Sequence, residues 1–107
     1  MSAQGFFSEQ WSDDSDNPAG GCTSGRGFTI SWQNGPLGRG NDRREPNGAF
    51  VEDVIAAAAD RIEFYQSSKF ACDDNAEAIE HLRKAIDALQ RRTRDRETRD
   101  VEGTHAA

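Results

Sequence analysis

The sequence contains no long apolar run, and only two cysteines, three prolines and one methionine occur among its 107 residues. A membrane-spanning helix needs about 20 predominantly apolar residues, so we expect none. The acidic beginning, MSAQGFFSEQWSDDSD, lacks the positively charged region and apolar stretch of a secretory signal. Cys22 and Cys72 favour a reduced protein without a disulfide framework. These features predict a cytoplasmic location.

Positive charge is also scarce, because 13 lysines and arginines face 19 aspartates and glutamates, a net charge of −6. An acidic chain is poorly suited to a broad nucleic-acid surface, which depends on clustered positive charge. The exceptions are local: GRGNDRR at 38–44 is basic, and five arginines fall within residues 91–99. A chain this short buries only a modest core, so oligomerisation is a natural source of stability.

Residues 1–25 are rich in Gly, Ser and Asp, and this composition predicts a flexible acidic arm. The aromatic residues Phe6, Phe7 and Trp11 leave a second interpretation open, in which they dock the arm on the domain or on a neighbouring subunit. We therefore predict a single folded domain over 26–107.

The segment GFTISWQNG has the pattern of a half-buried strand, since Phe28, Ile30 and Trp32 alternate with polar residues. The dipeptide Asn34-Gly35 then predicts a tight turn. A basic loop follows, PLGRGNDRREPNG, which Gly and Pro interrupt and which has room for a short second strand.

From Phe50 the apolar period becomes three or four residues, as in an amphipathic helix that Asn47 or Gly48 begins. After the connection SSKFACDD, a second helix is predicted with Asp74 as N-cap and Glu77 completing a capping box. Its apolar stripe consists of Ile79, Leu82, Ile86 and Leu89. The short connection predicts an antiparallel hairpin. The fold class is therefore α+β: a small antiparallel β-element followed by an antiparallel two-helix hairpin that assembles as an oligomer.

The stripe of the second helix is polar at both ends. At about 100° per residue it continues past Leu89 to Thr93 and Arg96, with Arg92 on its flank, and it begins at Asn75. Arginine in line with a core face is costly to bury unless an anion meets it. Arg92 and Arg96 are one turn apart and can converge on one anion. A solvated helix end, in which arginines complement the helix dipole, is the alternative interpretation.

Two other segments have the composition of a binding site. The glycines of GRGNDRR would let backbone and arginines approach a phosphate, although no Walker or dinucleotide motif is present, and a plain hairpin connection explains the loop equally well. Phe64, Tyr65 and Phe70 lie close to the bend of the hairpin. They could stack on a base or close the end of the core.

Nothing in the sequence indicates catalysis. His81 and His105 form no zinc-ligand spacing with the two cysteines. No supported Ser/His/Asp arrangement is present, and Cys72 has no evident activating base. We therefore expect a protein that is not an enzyme and that holds no metal or cofactor.

Three stretches, NGAFVEDVIAAAADRIEFYQ, KFACDDNAEAIEHLRKAIDALQRRTRDR and VEGTH, resemble the phage-encoded Thoeris anti-defence sponge family. The hairpin domain of that family is similar to that of the phage anti-CBASS sponges. The resemblance runs from Gly27 to His105. It implies a protein of the bacterial host cytoplasm that sequesters cyclic nucleotide immune signals without cleaving them. These signals are the glyco-cyclic ADP-ribose of Thoeris and, in some members, cyclic di- or trinucleotides of CBASS.

The resemblance also implies a homo-oligomer, commonly a hexamer, with pockets between subunits. Family members use an asparagine and an aromatic near the bend, two arginines one turn apart near the end of the second helix, and an arginine of the β-region. Carried onto this chain, the ligand-binding residues are Arg39 or Arg43, Phe64 or Tyr65, Asn75, Arg92 and Arg96.

Other functions remain open from the sequence. The first is a small helical-hairpin adaptor that binds a protein partner. The others are a hydrolase or lyase that cleaves the signal, and a nucleic-acid binder, against which the net charge counts.

Overall fold

The computed structural model describes residues 5–38 and 40–98, and it has the expected α+β composition. Its elements are β1 (Phe7–Ser12), β2 (Pro18–Gly25), β3 (Phe28–Trp32), a 3-10 turn (Gly40–Asp42), α1 (Val51–Gln66) and α2 (Asp73–Thr98). The chain divides between Phe50 and Val51 into two compact units, with the sheet in the first and both helices in the second. No helix within the described ranges is long and apolar enough to cross a membrane.

The sheet has three antiparallel strands in the order β1-β2-β3. Phe7 pairs with Ser24 and Glu9 with Cys22, so β1 and β2 come from the segment that composition predicted as a flexible acidic arm. That prediction is wrong for residues 7–25. Low hydrophobicity does not exclude a strand whose backbone groups are paired by a neighbouring strand. The predicted strand around Phe28–Trp32 is confirmed as β3, and the assignment of 26–107 to one domain stays a prediction.

A single hydroxyl links all three strands. Thr23 of β2 is buried, and its Oγ1 accepts a hydrogen bond from the indole Nε1 of Trp32 at 2.8 Å. It also lies 2.9 Å from Oγ of Ser8 on β1. A buried polar group is stable only when its hydrogen bonds are satisfied. The Thr23 hydroxyl therefore connects β2 with both of its neighbouring strands.

The chain after β3 returns to that strand instead of forming a second strand of a hairpin. The backbone of Ala49 bonds with Ser31 and Gln33, at 2.8 and 3.0 Å, in an isolated parallel bridge. An added Cβ at Gly48 would lie 2.6 Å from the Trp32 carbonyl carbon. Gly48 is thus required by the close approach of two backbones.

Asn47 closes this loop and does not begin the first helix. Its Oδ1 accepts from the backbone N–H of Asn34 at 2.8 Å, and its Nδ2 donates to the Asn34 carbonyl at 3.1 Å. Helix α1 starts at Val51, so the prediction of a start at Asn47 or Gly48 is wrong. Side chains of this type form local turns as readily as helix caps.

The helical hairpin is confirmed, with a six-residue connection between α1 and α2. The helices pack against each other, and Arg83 of α2 forms an ion pair with Glu63 of α1. The predicted N-cap at Asp74 is wrong, because α2 begins at Asp73 and Asp74 lies in its first turn. Instead, Gln66 pairs with the backbone of Cys72, the residue before the helix.

The predicted stripe of α2 is also confirmed. Its half-buried residues are Asn75, Ala78, Ile79, Leu82, Ala85, Ile86, Leu89, Thr93 and Arg96. None of the residues of α2, all of which are described, is fully buried. Ala59 of α1 is the one buried hydrophobic side chain in the described part of the chain. A single copy of the hairpin therefore has a thin core.

Candidate functional site

The hairpin presents polar side chains at the two ends of one helix face. Asn75 lies in the first turn of α2 and Arg96 in its last, and both belong to the half-buried stripe. Arg92 is exposed one turn before Arg96. Residues four apart on a helix are neighbours, so the two guanidinium groups can reach the same anion. VEGTH and Arg99 lie outside the described residues.

Two aromatic rings are exposed at the C-terminal end of α1. Phe64 is 58% exposed and Tyr65 is 37% exposed. Their centroids are 6.2 Å apart, and the ring planes are inclined by 53°. Apolar rings of this size are normally covered in a core. The rings are therefore available for stacking, and both remain candidates for that role.

Hydrogen bonds link residues on the two sides of the bend. The side chain of Gln66 accepts from the Cys72 N–H at 2.9 Å and donates to its carbonyl at 3.1 Å. The Asn75 amide donates to the Phe70 carbonyl at 3.1 Å. An asparagine amide has a second N–H and a carbonyl oxygen, so this bond leaves Asn75 with the capacity to bind a ligand.

The bend residues and the arginine pair are far apart within one hairpin. Asn75 and Arg92 are separated by 17 residues of the continuous helix α2. At a rise of 1.5 Å per residue this is about 25 Å. A small-molecule pocket of about 300–1,000 Å³ is on the order of 10 Å across. One copy of the hairpin therefore cannot bring these two groups of residues to one small ligand.

The basic loop lies in the other unit. Arg39 is outside the described residues. Arg43 donates from Nη1 to the Gly38 carbonyl at 3.3 Å, and the backbone N–H of Arg44 donates to the Leu37 carbonyl at 2.7 Å. The loop lines a cavity of about 690 Å³ that is open to solvent. Its lining residues are Asn34, Gly35, Pro36, Gly38, Asn41, Asp42, Arg43 and Arg44. The lining includes an aspartate, so the cavity is not uniformly positive.

Sequence reasoning did not identify Arg61. Its Cζ lies 5.1 Å from the centroid of the Phe64 ring and 5.1 Å from that of the Tyr65 ring. The signal was present as R-x-x-F-Y, because positions i, i+3 and i+4 share one helix face.

The remaining electrostatics of α2 are those of a solvated helix. The Lys84 ammonium, hydrogen-bonded to Glu80 at 3.1 Å, lowers the pKa of that carboxyl. Across residues 5–38 and 40–98, no group of three or more His, Cys, Asp or Glu side chains is placed to hold a metal ion.

Comparison with known proteins connects these features to a family. Residues 26–94 match the family model described as "Acb2/Tad1, hairpin domain". The chain is also 40% identical over 82 residues to Thoeris anti-defense 1 of Bacillus phage SBSphiJ7. This alignment covers 77% of the chain and 55% of the relative, so the chain spans about half of that protein's length. The family resemblance inferred from the sequence is thereby confirmed: the chain belongs to the Acb2/Tad1 hairpin-domain family.

Proposed function

We propose that this protein is a phage anti-defence protein that binds and sequesters cyclic nucleotide immune signals without cleaving them. The first candidate ligand is glyco-cyclic ADP-ribose, and the second class is cyclic di- and trinucleotides. The site of action is the cytoplasm of the bacterial host. The family membership and the similarity to Thoeris anti-defense 1 support this proposal.

The strongest support for this proposal is the distance along α2 between the bend and the arginine pair. Aromatic and amide groups lie at the bend, and the arginine pair lies about 25 Å away on the same helix. A ligand with a base and phosphates needs both kinds of group. Two copies packed with their hairpins in opposite directions would place the bend of one beside Arg92 and Arg96 of the other. The pocket would then be complete only in a homo-oligomer.

The thin core supports assembly for a second reason. The stripe of α2 is only half-buried within one copy. Covering its apolar middle would stabilise the hairpin by about 25 cal/mol for each Å² removed from water. We propose a homo-oligomer, with the hexamer as the expected state. A two-fold arrangement within it would repeat every contact in both directions.

Each proposed ligand contact follows from the chemistry of its side chain. Arg92 and Arg96 would bind phosphate oxygens through bidentate hydrogen bonds. Asn75 would hydrogen-bond a ribose or a base edge. Phe64 or Tyr65 would stack on the purine, as aromatic side chains do on bases. The 38–44 loop offers Arg39 and Arg43 as a further source of positive charge.

Sequestration requires no catalytic group, and we propose that the protein is not an enzyme. The bound signal should then leave the protein chemically intact. Chromatography of the ligand released by heat distinguishes sequestration from cleavage by a hydrolase or lyase. An enzyme would release breakdown products in place of the parent compound.

Subunit complementation tests the shared pocket. The triple variant Phe64→Ala/Tyr65→Ala/Asn75→Ala damages the bend whichever ring stacks, and Arg92→Ala/Arg96→Ala damages the arginine end. Each variant alone should lose binding of glyco-cyclic ADP-ribose in calorimetry. Co-expressed in equal amounts, they should recover about a quarter of the unmodified binding stoichiometry, because random pairing joins an intact bend to an intact arginine end in that fraction of sites. Absence of recovery with assembled protein would exclude a pocket shared in this way.

The exposed aromatics also support a second candidate, the helical-hairpin adaptor. Phe70 is 65% exposed beside the bend, and aromatic residues are enriched at protein interfaces. Native mass spectrometry of protein incubated with glyco-cyclic ADP-ribose and with cyclic di- and trinucleotides separates the two functions. An adaptor would carry none of these ligands.

A further inference from the structure

Arg61 of α1 lies beside the exposed rings of Phe64 and Tyr65, at the C-terminal end of the same helix. Its guanidinium carbon is 5.1 Å from each ring centroid, and its Nε donates to the Tyr65 hydroxyl at 3.3 Å. A cation within about 6 Å of an aromatic centroid is attracted by the ring quadrupole. The two rings and the hydroxyl thus hold a flexible side chain in a defined position.

The charge of Arg61 has no carboxylate partner within the described part of the chain. Glu63, two residues further on, forms its ion pair with Arg83 of α2. The hydrogen bond to Tyr65 uses one of the five N–H groups of the guanidinium. The remaining N–H groups give Arg61 the capacity to bind an anion while it stays beside the rings.

We propose that Arg61 is a further ligand-binding residue, which contacts a phosphate of the nucleotide whose base stacks on Phe64 or Tyr65. This inference rests on the proposed function. A base and a phosphate belong to the same small ligand, and an arginine one helical turn from the stacking rings is within reach of both. The bend of one hairpin then recognises a phosphorylated nucleoside and not an aromatic base alone.

With Arg61 beside the rings, the bend would prefer ligands that carry a phosphate. Arg92 and Arg96 would bind phosphate from the other end of a hairpin, and Arg61 adds a cation at the stacking surface. A neutral nucleoside could use the rings but would gain nothing from Arg61. A nucleotide would gain a charge-assisted contact, which is stronger than a neutral hydrogen bond.

The experiment compares two ligands and four variants. Calorimetry measures binding of glyco-cyclic ADP-ribose, and NMR titration measures binding of adenosine, because that method also detects weak binding. Arg61→Gln should weaken binding of glyco-cyclic ADP-ribose about tenfold, the size expected for a hydrogen bond to a charged group, and leave adenosine unchanged. Arg61→Lys should recover part of the loss, because an ammonium keeps the charge without the bidentate geometry.

Two controls separate this role from alternatives. Lys69 lies 5.4 Å from the Phe70 ring centroid, so Lys69→Gln removes a comparable cation from the same end of the hairpin and should change affinity less than threefold. Tyr65→Phe removes the hydroxyl that orients Arg61 but keeps the ring. Because both ring contacts of Arg61 remain, Tyr65→Phe should weaken binding less than Arg61→Gln. If Arg61 acted only by positioning Tyr65 through this hydroxyl, the two variants would lose the same affinity.

The outcomes are distinct. Equal losses for adenosine and glyco-cyclic ADP-ribose in Arg61→Gln, or an equal loss in Lys69→Gln, overturn the phosphate contact. Unchanged binding in Arg61→Gln overturns it as well, while the proposed function stands. If the unmodified protein binds neither glyco-cyclic ADP-ribose nor the cyclic di- and trinucleotides, the proposed function fails and this inference fails with it.

Discussion

The side-chain amide of Gln66, the last residue of α1, pairs in both directions with the backbone of Cys72, the residue before α2. Its Oε1 accepts from the Cys72 N–H at 2.9 Å, and its Nε2 donates to the Cys72 carbonyl at 3.1 Å. The Gln66 side chain therefore accepts and donates one hydrogen bond each, as the backbone of a paired strand does, and links the two ends of the connection between the helices. The residues proposed to bind the base lie on both sides of this closure.

Replacement of Gln66 by Ala should lower the free energy of unfolding by about 1–2 kcal/mol, since two hydrogen bonds of about 0.5–1.5 kcal/mol each are lost. Urea denaturation at one fixed protein concentration measures the change. Gln90→Ala, an exposed position on α2, is the matched control and should stay within about 0.5 kcal/mol of the unmodified protein. Equal stability of the two variants would show that the closure is not stabilising.

Gly48→Ala should destabilise the first unit through steric overlap. The added Cβ would lie 2.6 Å from the carbonyl carbon and oxygen of Trp32 and 2.7 Å from the Gln33 nitrogen. These atoms belong to backbone and cannot rotate away, so we expect a loss of about 2–4 kcal/mol.

Gly27→Ala provides the comparison for Gly48→Ala. Gly27 has a φ of 77° and nothing within 4 Å of an added Cβ, so its cost is limited to about 1–2 kcal/mol of left-handed strain. Thermal unfolding, followed by circular dichroism, should rank Gly48→Ala as the less stable variant. The reverse order would contradict the close approach at Trp32.

Arg96→Ala should weaken binding of glyco-cyclic ADP-ribose by about 2–4 kcal/mol, the range for truncating one partner of a desolvated charge pair. Arg96 is half-buried in the stripe of α2, whereas Arg94 is exposed. Arg94→Ala removes the same charge from the same helix and should change affinity by less than about 1 kcal/mol. Calorimetry measures the affinity of both variants, after circular dichroism has shown that their helix content is unchanged. Unchanged affinity in Arg96→Ala would remove that residue from the site.

Glu80 should titrate below the ordinary range of a glutamate. The hydrogen bond from Lys84 and its positive charge lower the pKa of Glu80. A lowered pKa in the folded state stabilises the protein above the ordinary glutamate pKa, and this stabilisation is lost as the pH falls through the lowered value. Carboxyl NMR titration should find the pKa of Glu80 raised in Lys84→Gln and unchanged in Lys69→Gln. A Glu80 pKa that is insensitive to Lys84→Gln would contradict the pairing.

Local patterns explain which predictions the structure confirmed. The stripe from Asn75 to Arg96 follows from helical periodicity, which depends only on the spacing of residues along one helix. The alternation in β3 is equally local. Asn47 misled the sequence reasoning because its side chain can cap a helix or close a turn, and only the position of Asn34 selects between them.

The sequence by itself determined the two helices, the strand β3, the stripe with arginine in line with its apolar part, and the family. It could not determine that residues 7–25 form two strands. β1 pairs with β2 and β2 with β3, and Thr23 of β2 bonds with side chains on both neighbouring strands, 15 and 9 residues away in the sequence. It also could not place Arg61 over the rings of Phe64 and Tyr65, because helical spacing brings these residues to one face without fixing their rotamers. The three-dimensional structure decided these contacts: strand pairing sets those of Thr23, and side-chain rotamers set those of Arg61.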